Sequence, residues 1–536
     1  MKTYKRFALL SLTLVILTAL AACSSKTEGG SGEHSEKNEL VYATAKDIND
    51  MNPHLYTGSM PAQGKVFESL VENTEDGIKP LLAQSWEISE DGKVYTFHLR
   101  KGVTFHDGEP FNAKAVKKNI EAVQRNAEKH AWIKLSSKID SVRTTGEHTV
   151  ELVLTEPYDP ALVELSMTRP YVFLSPNDFK DGETKSGVKD YNGTGPYILK
   201  EHKVDEYAAF EANKDYWDGE PSLKKITAKV LPAGETTFLA FQKGEINFAF
   251  TDDRGADSLN KEAMDQLVES GDYQVVKSDP MNTKMIVANS SRKNSPVSDK
   301  AVREAFWYAI DRETITKKIL EGTETEAHTL FSSNVNYADV ELEKREFDLE
   351  KAGDILDTAG WKDVKEGSVR MKDGKQLAMH LYYDINSSSQ KTQAEFIQSS
   401  LKKIGVKLDL VGEESTSIAN RRSTGEYDLL FNQTWGLAYD PQSTIAAFTS
   451  EASYLHTTQG IQQADELYEK IDDVMRATDE ETKKALYKDI LTIVHKEAVF
   501  IPISNGSMTV VAPADMKGLS FKQTQFELPF EKMRFE

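Results

Sequence analysis

From Lys351 to Phe431 the chain switches repeatedly between two hydrophobic periods. Lys351–Ala359 has the spacing of an amphipathic helix and Leu377–Tyr383 that of a strand. Gln390–Lys403 and Val406–Val411 repeat the pair, and Ser415–Arg422 and Tyr427–Phe431 repeat it again. Strands separated by single helices pair in parallel through crossovers rather than as hairpins. This half of the chain therefore predicts an α/β lobe built on a parallel sheet.

The last of these strands ends abruptly. Asp428–Phe431 reads as a short buried strand, and Asn432, Gln433, Thr434, Trp435 and Gly436 follow at once, with Tyr439, Asp440 and Pro441 close behind. In open α/β sheets, ligands sit beyond the carboxyl ends of the strands. A large aromatic beside glycine at that place has two readings. Trp435 and Tyr439 form a wall of a ligand cleft, with Gly436 allowing close backbone approach, or Trp435 plugs the loop from the core.

The remaining chain is too long for one core, at 536 residues. Glu39–Thr44 reads as a strand. Met51-Asn52-Pro53-His54 opens a polar loop that runs through Met60, and Lys65–Val71 reads as a helix. Trp86–Ile88 and Val94–Leu99 flank the turn Glu90-Asp91-Gly92-Lys93, a hairpin signal. Asn112–Asn126 is a helix with Asn112 as its cap, His148–Leu154 a strand, and Pro160–Met167 a short helix with Arg169 directly after it. Strands surround a helix over Glu235–Gln242, Met285–Asn289 is a strand, and Val297–Ile319 reads as one helix capped by Ser298. Helices over Gly460–Arg476 and Asp479–Val499 precede strands Phe500–Ser504 and Met508–Ala512.

The N-terminus has the layout of an export signal. Lys2, Lys5 and Arg6 form a basic region, Phe7–Ala22 is almost wholly apolar, and Leu20-Ala21-Ala22 leads into Cys23. Cys23 is the one cysteine of the chain, so no intrachain disulfide forms. Small residues before a cysteine resemble the bacterial lipobox, which makes Cys23 the lipidated first residue of the mature protein. The layout predicts a signal peptide over 1–22, a flexible Ser/Gly/Glu/Lys tether over 23–38, and a body anchored by lipid on the outer face of the cell membrane. The formal charge is −20 and becomes more negative once the basic leader is removed, which argues against nucleic acid as a partner.

Several motifs then occur in a fixed order: Asn52-Pro53-His54; Ser85-Trp86 with Glu90-Asp91-Gly92-Lys93; Leu99-Arg100-Lys101-Gly102-Val103-Thr104-Phe105-His106-Asp107-Gly108; Gly193-Thr194-Gly195-Pro196-Tyr197; Asn213 with Asp215-Tyr216-Trp217; and Asp348-Leu349-Glu350-Lys351-Ala352. From about residue 39 to the end, the chain resembles the solute-binding proteins of peptide/nickel ABC importers. Lys129-His130-Ala131-Trp132, Arg169-Pro170-Tyr171, and Thr434-Trp435-Gly436 with Tyr439-Asp440-Pro441 look most similar to the nickel and nickel-metallophore (opine-type) binders among them. The resemblance implies a two-lobed α/β fold of the periplasmic-binding-protein kind, with a two-strand hinge and a subdomain inserted in the first lobe. The implied boundaries are 39–282 for lobe 1, with the insertion at about 66–190, 283–504 for lobe 2, and a return to lobe 1 over 505–536, the chain crossing near Met281–Met285 and Pro502–Met508. It implies a monomer that works with permease and ATPase subunits.

The 11 histidines are scattered, without the close spacing of a protein-only metal site. The resemblance accounts for this: in such proteins the metal, nickel or else cobalt or zinc, arrives already chelated by a carboxylate-bearing organic ligand, and the protein has no cofactor of its own. Arg169 then binds a ligand carboxylate through its fork. Trp132, Trp435 and Tyr439 are walls, and Met60 a soft or apolar contact. Arg421 and Arg422 end a predicted helix. They aim a second guanidinium into the cleft or simply favour the helix C-terminus. Lys129 stands where nickel-binding relatives can carry an arginine. Ser453 stands where some place a metal-binding histidine, and His456 is the nearby substitute. The alternative ligand is a di- or oligopeptide, whose amine needs an acidic group such as Asp440. Neither GxSxG, HExxH nor a phosphate loop occurs, so the reading is a binding protein and not an enzyme.

Overall fold

In a computed structural model the structure describes residues 38–251, 259–363, 367–524 and 527–536. The expected signal peptide over 1–22, Cys23 and the expected tether up to residue 37 lie outside the described residues.

The strand Glu39–Thr44 pairs in parallel with Lys225–Val230, which continues antiparallel to Tyr207–Ala212 and Tyr197–Lys203. A second, wholly antiparallel sheet runs in the order Ala83–Ile88, Val94–Leu99, Thr149–Leu154, Ile139–Gly146. The helix Ala113–Arg125 covers it with Val116, Ile120 and Val123 inward. Asn112 caps that helix, its side chain accepting from the Lys114 and Ala115 N–H groups.

The βαβ half forms as its periodicity predicts. Ala378–Asp384 is flanked in parallel by Lys407–Glu413 and Leu429–Gln433. The crossover helix Ser388–Lys403 buries Ala394, Ile397 and Leu401 along one stripe, is capped by Ser387, and is followed by Gly405 at φ +75°. The sheet as a whole is mixed rather than parallel. The strand Tyr273–Ala288 joins Leu429–Gln433 antiparallel, and Phe500–Pro513 joins Tyr273–Ala288, also antiparallel. Two segments read as separate strands, Phe500–Ser504 and Met508–Ala512, are thus one strand, and Met285–Asn289 is the end of a longer one. Both long strands span two cores. Ile286 and Ile501 sit with Trp307, Leu381 and Ile397, while Val510 and Ala512 sit with Tyr42, Phe248 and Phe250. Register shifts interrupt their pairing between Lys277 and Asn282 and between Lys284 and Met285.

The expected helix Val297–Ile319 is broken. Asp299, not Ser298, caps Lys300–Tyr308, its side chain accepting from the Ala301 N–H. The chain then turns, and a buried Arg312 donates to the Trp307 and Ile310 carbonyls at that helix end and to the Pro502 carbonyl. An apolar period continues through the break, which is why the two pieces read as one.

Three of the motifs that carry the family resemblance converge on Glu68. Its buried carboxylate accepts from Thr194 Oγ1 (2.7 Å), Tyr216 Oη (2.8 Å) and Trp217 Nε1 (3.1 Å). Arg100 stacks on Trp217 at 4.3 Å. A Cβ on Gly193 would lie 1.9 Å from the Val66 carbonyl oxygen and one on Gly195 2.6 Å from that of Lys65, so only glycine fits either place. These residues hold the helix Met60–Val66 in position.

Candidate functional site

The loop after Leu429–Gln433 keeps contact with the neighbouring long strand. Thr434 N–H donates to Thr283 O at 2.9 Å, Thr434 Oγ1 accepts from Thr283 N–H, and Leu437 N–H donates to Met281 O at 3.0 Å. Gly436 takes φ +92°, and its carbonyl accepts from the Tyr439 and Asp440 N–H groups. This tight turn sets Trp435 and Tyr439 side by side, ring centroids 6.4 Å apart. Asp440 lies behind it, 6% exposed, accepting from Gly436 N–H at 3.1 Å and from the Thr444 hydroxyl. Burial pushes its carboxyl up to about 7, against the pull of those hydrogen bonds. The acid proposed to hold a peptide amine is thus engaged in organising the loop.

Three segments of the first half meet this turn. Trp132, just past the short helical turn Ala127–His130, has its ring 5.7 Å from Trp435 and 5.7 Å from Tyr439, both near edge-to-face. Met60 begins the helix Met60–Val66, and its Sδ lies 4.0 Å from the Tyr439 hydroxyl. Arg169 is 3% exposed; its Nη1 donates to Thr57 O (2.9 Å) and Gly58 O (3.1 Å), and its guanidinium lies 4.3 Å over the Tyr56 ring. Tyr56 also meets the Trp132 edge at 5.9 Å. Arg169, Trp132, Trp435, Tyr439 and Met60 are therefore one cluster.

Tyr56 is the member that sequence reasoning missed. It is 53% exposed although it touches Arg169 and Trp132. The available signal was a large aromatic in a polar loop, four residues before Met60. The buried His130 ring meets Tyr56 near edge-on at 6.1 Å, and the buried His54 lies next to His130. His130 Nε2 donates to His54 O at 3.1 Å, and His54 Nδ1 bonds Thr184 at 3.2 Å. Desolvation holds His54 down to about 3 and His130 to about 4, the latter helped by Arg169. Both rings are neutral at pH 7.

Other candidates sit elsewhere. Arg421 forms a two-pronged pair with Glu413 (2.6 and 2.7 Å) and stacks on Tyr382 at 4.5 Å, so it is no cleft clamp. His456 has both ring nitrogens engaged, Nε2 with Ser423 O and Nδ1 with Gln459, and closes the end of the helix Ser415–Thr424 rather than facing a metal. Arg422 differs from its neighbour. Its buried Nε has no hydrogen-bond partner among the described residues, and its charge acts on the Tyr427 and Tyr454 hydroxyls. Tyr454 in turn donates to Gln433 O at 3.1 Å, two residues before Trp435. Lys129 is exposed, next to the buried His130. Among the described residues no group of three or more His, Cys, Asp or Glu side chains is arranged to hold a metal ion.

Residues 77–455 match the model for bacterial extracellular solute-binding proteins, family 5 Middle. The chain is 36% identical over 522 residues to the nickel-binding periplasmic protein of Escherichia coli K12, covering 97% of this chain and 98% of that one. It is 26% identical to the dipeptide-binding protein of the same organism, with 95% of each covered. It superposes with TM-score 0.89 on the crystal structure of NikA from Brucella suis in complex with Fe(III)-EDTA, at 37% identity over 93% of this chain and 100% of that one.

Proposed function

The chain belongs to the bacterial extracellular solute-binding proteins of family 5, the ligand-capturing components of ABC importers, and from that premise we propose that it binds a chelated transition metal and delivers it to a membrane permease. Nickel is the first candidate, with cobalt or zinc as the others. The carrying observation is the cluster itself. A buried arginine and a wall of aromatic faces, drawn from both halves of the chain, meet where the described residues offer no metal-ligand set. Such a surface suits a flat, carboxylate-bearing chelate whose metal is already coordinated.

In this reading Arg169 takes a ligand carboxylate, Tyr56 holds its guanidinium in plane, and Trp132, Trp435 and Tyr439 enclose the chelate with Met60 beneath. Arg422, not Arg421, is the second guanidinium, because a buried N–H without an acceptor favours an incoming anion. Lys129 adds positive charge at the rim. The lobes part at about residues 282 and 504, with the subdomain at about 66–190 in the first lobe and 505–536 returning to it. Lipidation of Cys23 tethers the protein, as a monomer, to the outer face of the membrane; among the described residues no helix is long and apolar enough to cross it.

The dipeptide-binding relative keeps a peptide as the second reading. Asp440 argues against it, since the acid that an amine would need is already bonded to Gly436 and Thr444. Calorimetric titration with Fe(III)-EDTA, a nickel–histidine complex, bare Ni²⁺ and a set of dipeptides decides between them. Binding of a chelate without binding of bare metal or dipeptide is the expected result; dipeptide binding alone overturns it.

A further inference from the structure

Away from the aromatic cluster, the same two halves meet a second time through charge. Asp159 follows the strand Thr149–Leu154 of the second, wholly antiparallel sheet. Lys483 lies in the first turns of the helix Glu480–Glu497. Lys483 Nζ is 2.5 Å from Asp159 Oδ1 and 3.1 Å from Glu480 Oε1, and the Lys483 and Asp159 side chains are only 11% and 12% exposed. The backbone joins in, Asp159 N–H donating to Met475 O at 2.8 Å.

The two partners are held very differently. Lys483 is organised within its own lobe: Glu480 accepts from Tyr337 Oη at 2.8 Å, and Tyr337 stacks on Tyr487 at 4.8 Å. The far end of its helix is pinned to the same lobe, where Arg303 donates to Glu497 O and Arg345 to His495 O. Asp159 reaches Lys483 from the other side of the boundary and pairs with it directly.

We infer that Asp159 and Lys483 form an inter-lobe latch, a buried charge pair that exists only when the lobes are closed and that sets how readily they close. Closure along the lobe boundaries proposed above is its premise; the identity of the ligand is not. When the lobes part, Lys483 keeps Glu480 and both groups regain water. When they close, each loses water and gains the other. Whether such a pair adds net stability depends on geometry, but removing one partner leaves a lone buried charge and is costly.

The cycle is therefore asymmetric. Lys483→Met strands the Asp159 carboxylate in the closed form and should reduce the closing constant roughly a hundredfold, whereas Asp159→Asn leaves Lys483 with Glu480 and should reduce it about tenfold. The double variant, with no stranded charge, should lie nearer the wild type than Lys483→Met.

The direct reporter is hydrogen exchange at the Asp159 amide, followed in the full-length ligand-free protein and again with Fe(III)-EDTA, alongside a thermal melt. Faster exchange in Lys483→Met with an unchanged ligand-free melt, and partial recovery in the double variant, is the expected result. Unchanged exchange overturns the latch. So does exchange that rises only in step with a lowered melt, because the pair is then a staple of the fold. If Fe(III)-EDTA fails to slow exchange in the wild type, the chelate reading is what fails, and the ligand-free comparison still decides the latch.

Discussion

Replacing Arg169 by alanine tests the site most directly, and the structure divides its effect in two. The guanidinium donates to the carbonyls of Thr57 and Gly58 and stacks on Tyr56. Arg169→Ala leaves two carbonyls without that donor, at about 1–3 kcal/mol for a buried acceptor left unsatisfied. Water that enters the truncated site recovers part of this, so the ligand-free protein should melt only a few degrees lower. The binding loss is larger. A ligand carboxylate held by a buried fork and then deprived of it costs about 2–5 kcal/mol, or roughly 30- to several-thousand-fold in Kd. Arg169→Lys separates the two parts. An ammonium can serve the Thr57 and Gly58 carbonyls and restore the melt, but it reproduces neither the fork nor the flat stack on Tyr56, so affinity should stay low. The assay is calorimetric titration with Fe(III)-EDTA beside a melt of each ligand-free variant. Wild-type affinity in Arg169→Ala refutes the assigned site. Full recovery of binding by Arg169→Lys refutes the geometric argument while leaving the charge argument standing.

Trp435→Ala should weaken the same chelate by about 1–3 kcal/mol through lost apolar contact, with the ligand-free melt near wild type; a collapse of that melt would make Trp435 a core plug instead. Asp440 has a folded pKa raised by burial to about 7 from 3.8, so the folded state binds the extra proton and this group's contribution to stability falls as pH rises from about 4 to about 7. Denaturant unfolding should show Asp440→Asn gaining relative to wild type across that window, and a constant difference would contradict the burial. His54 runs the other way. Its folded pKa is lowered to about 3 from 6.5, so stability is lost as pH falls below about 6.5, and His54→Gln should show a shallower acid limb than the wild type in the same titration. Cys23→Ala should leave the protein unprocessed or released from the membrane fraction, and recovery of normally processed, membrane-bound protein would rule out lipidation as the anchor.

Much of this molecule is written locally. The alternation over Lys351–Phe431 depends on which residues three, four or two places apart are apolar, and chain neighbours decide that before any tertiary contact forms. Helix Ser388–Lys403 and its flanking strands accordingly lie where their periods place them. The ordered motifs marked the family for a similar reason. Thr194, Tyr216, Trp217 and the glycines Gly193 and Gly195 are each demanded by a steric or hydrogen-bond requirement around Glu68, which leaves a pattern in the chain even though the requirement is structural and not a ligand's. Arg169, Trp132, Trp435, Tyr439 and Met60 could be named from the chain, but not that they touch.

Tertiary structure decided what each side chain faces. Arg421 and Arg422 are adjacent in a helix and indistinguishable by type, yet a helix turns about 100° per residue, so one meets Glu413 and the other does not. Asp440 and His456 are equally plausible ligands in one dimension, and each is taken by partners that the loop fold brings to it. Tyr56 had no period or motif to mark it, and it acquires a role only because Arg169, far along the chain, folds onto its ring. The mixed sheet follows from the same cause. Strand direction is set by how Tyr273–Ala288 and Phe500–Pro513 pass between the two cores, and hydrophobic period carries no sign of direction.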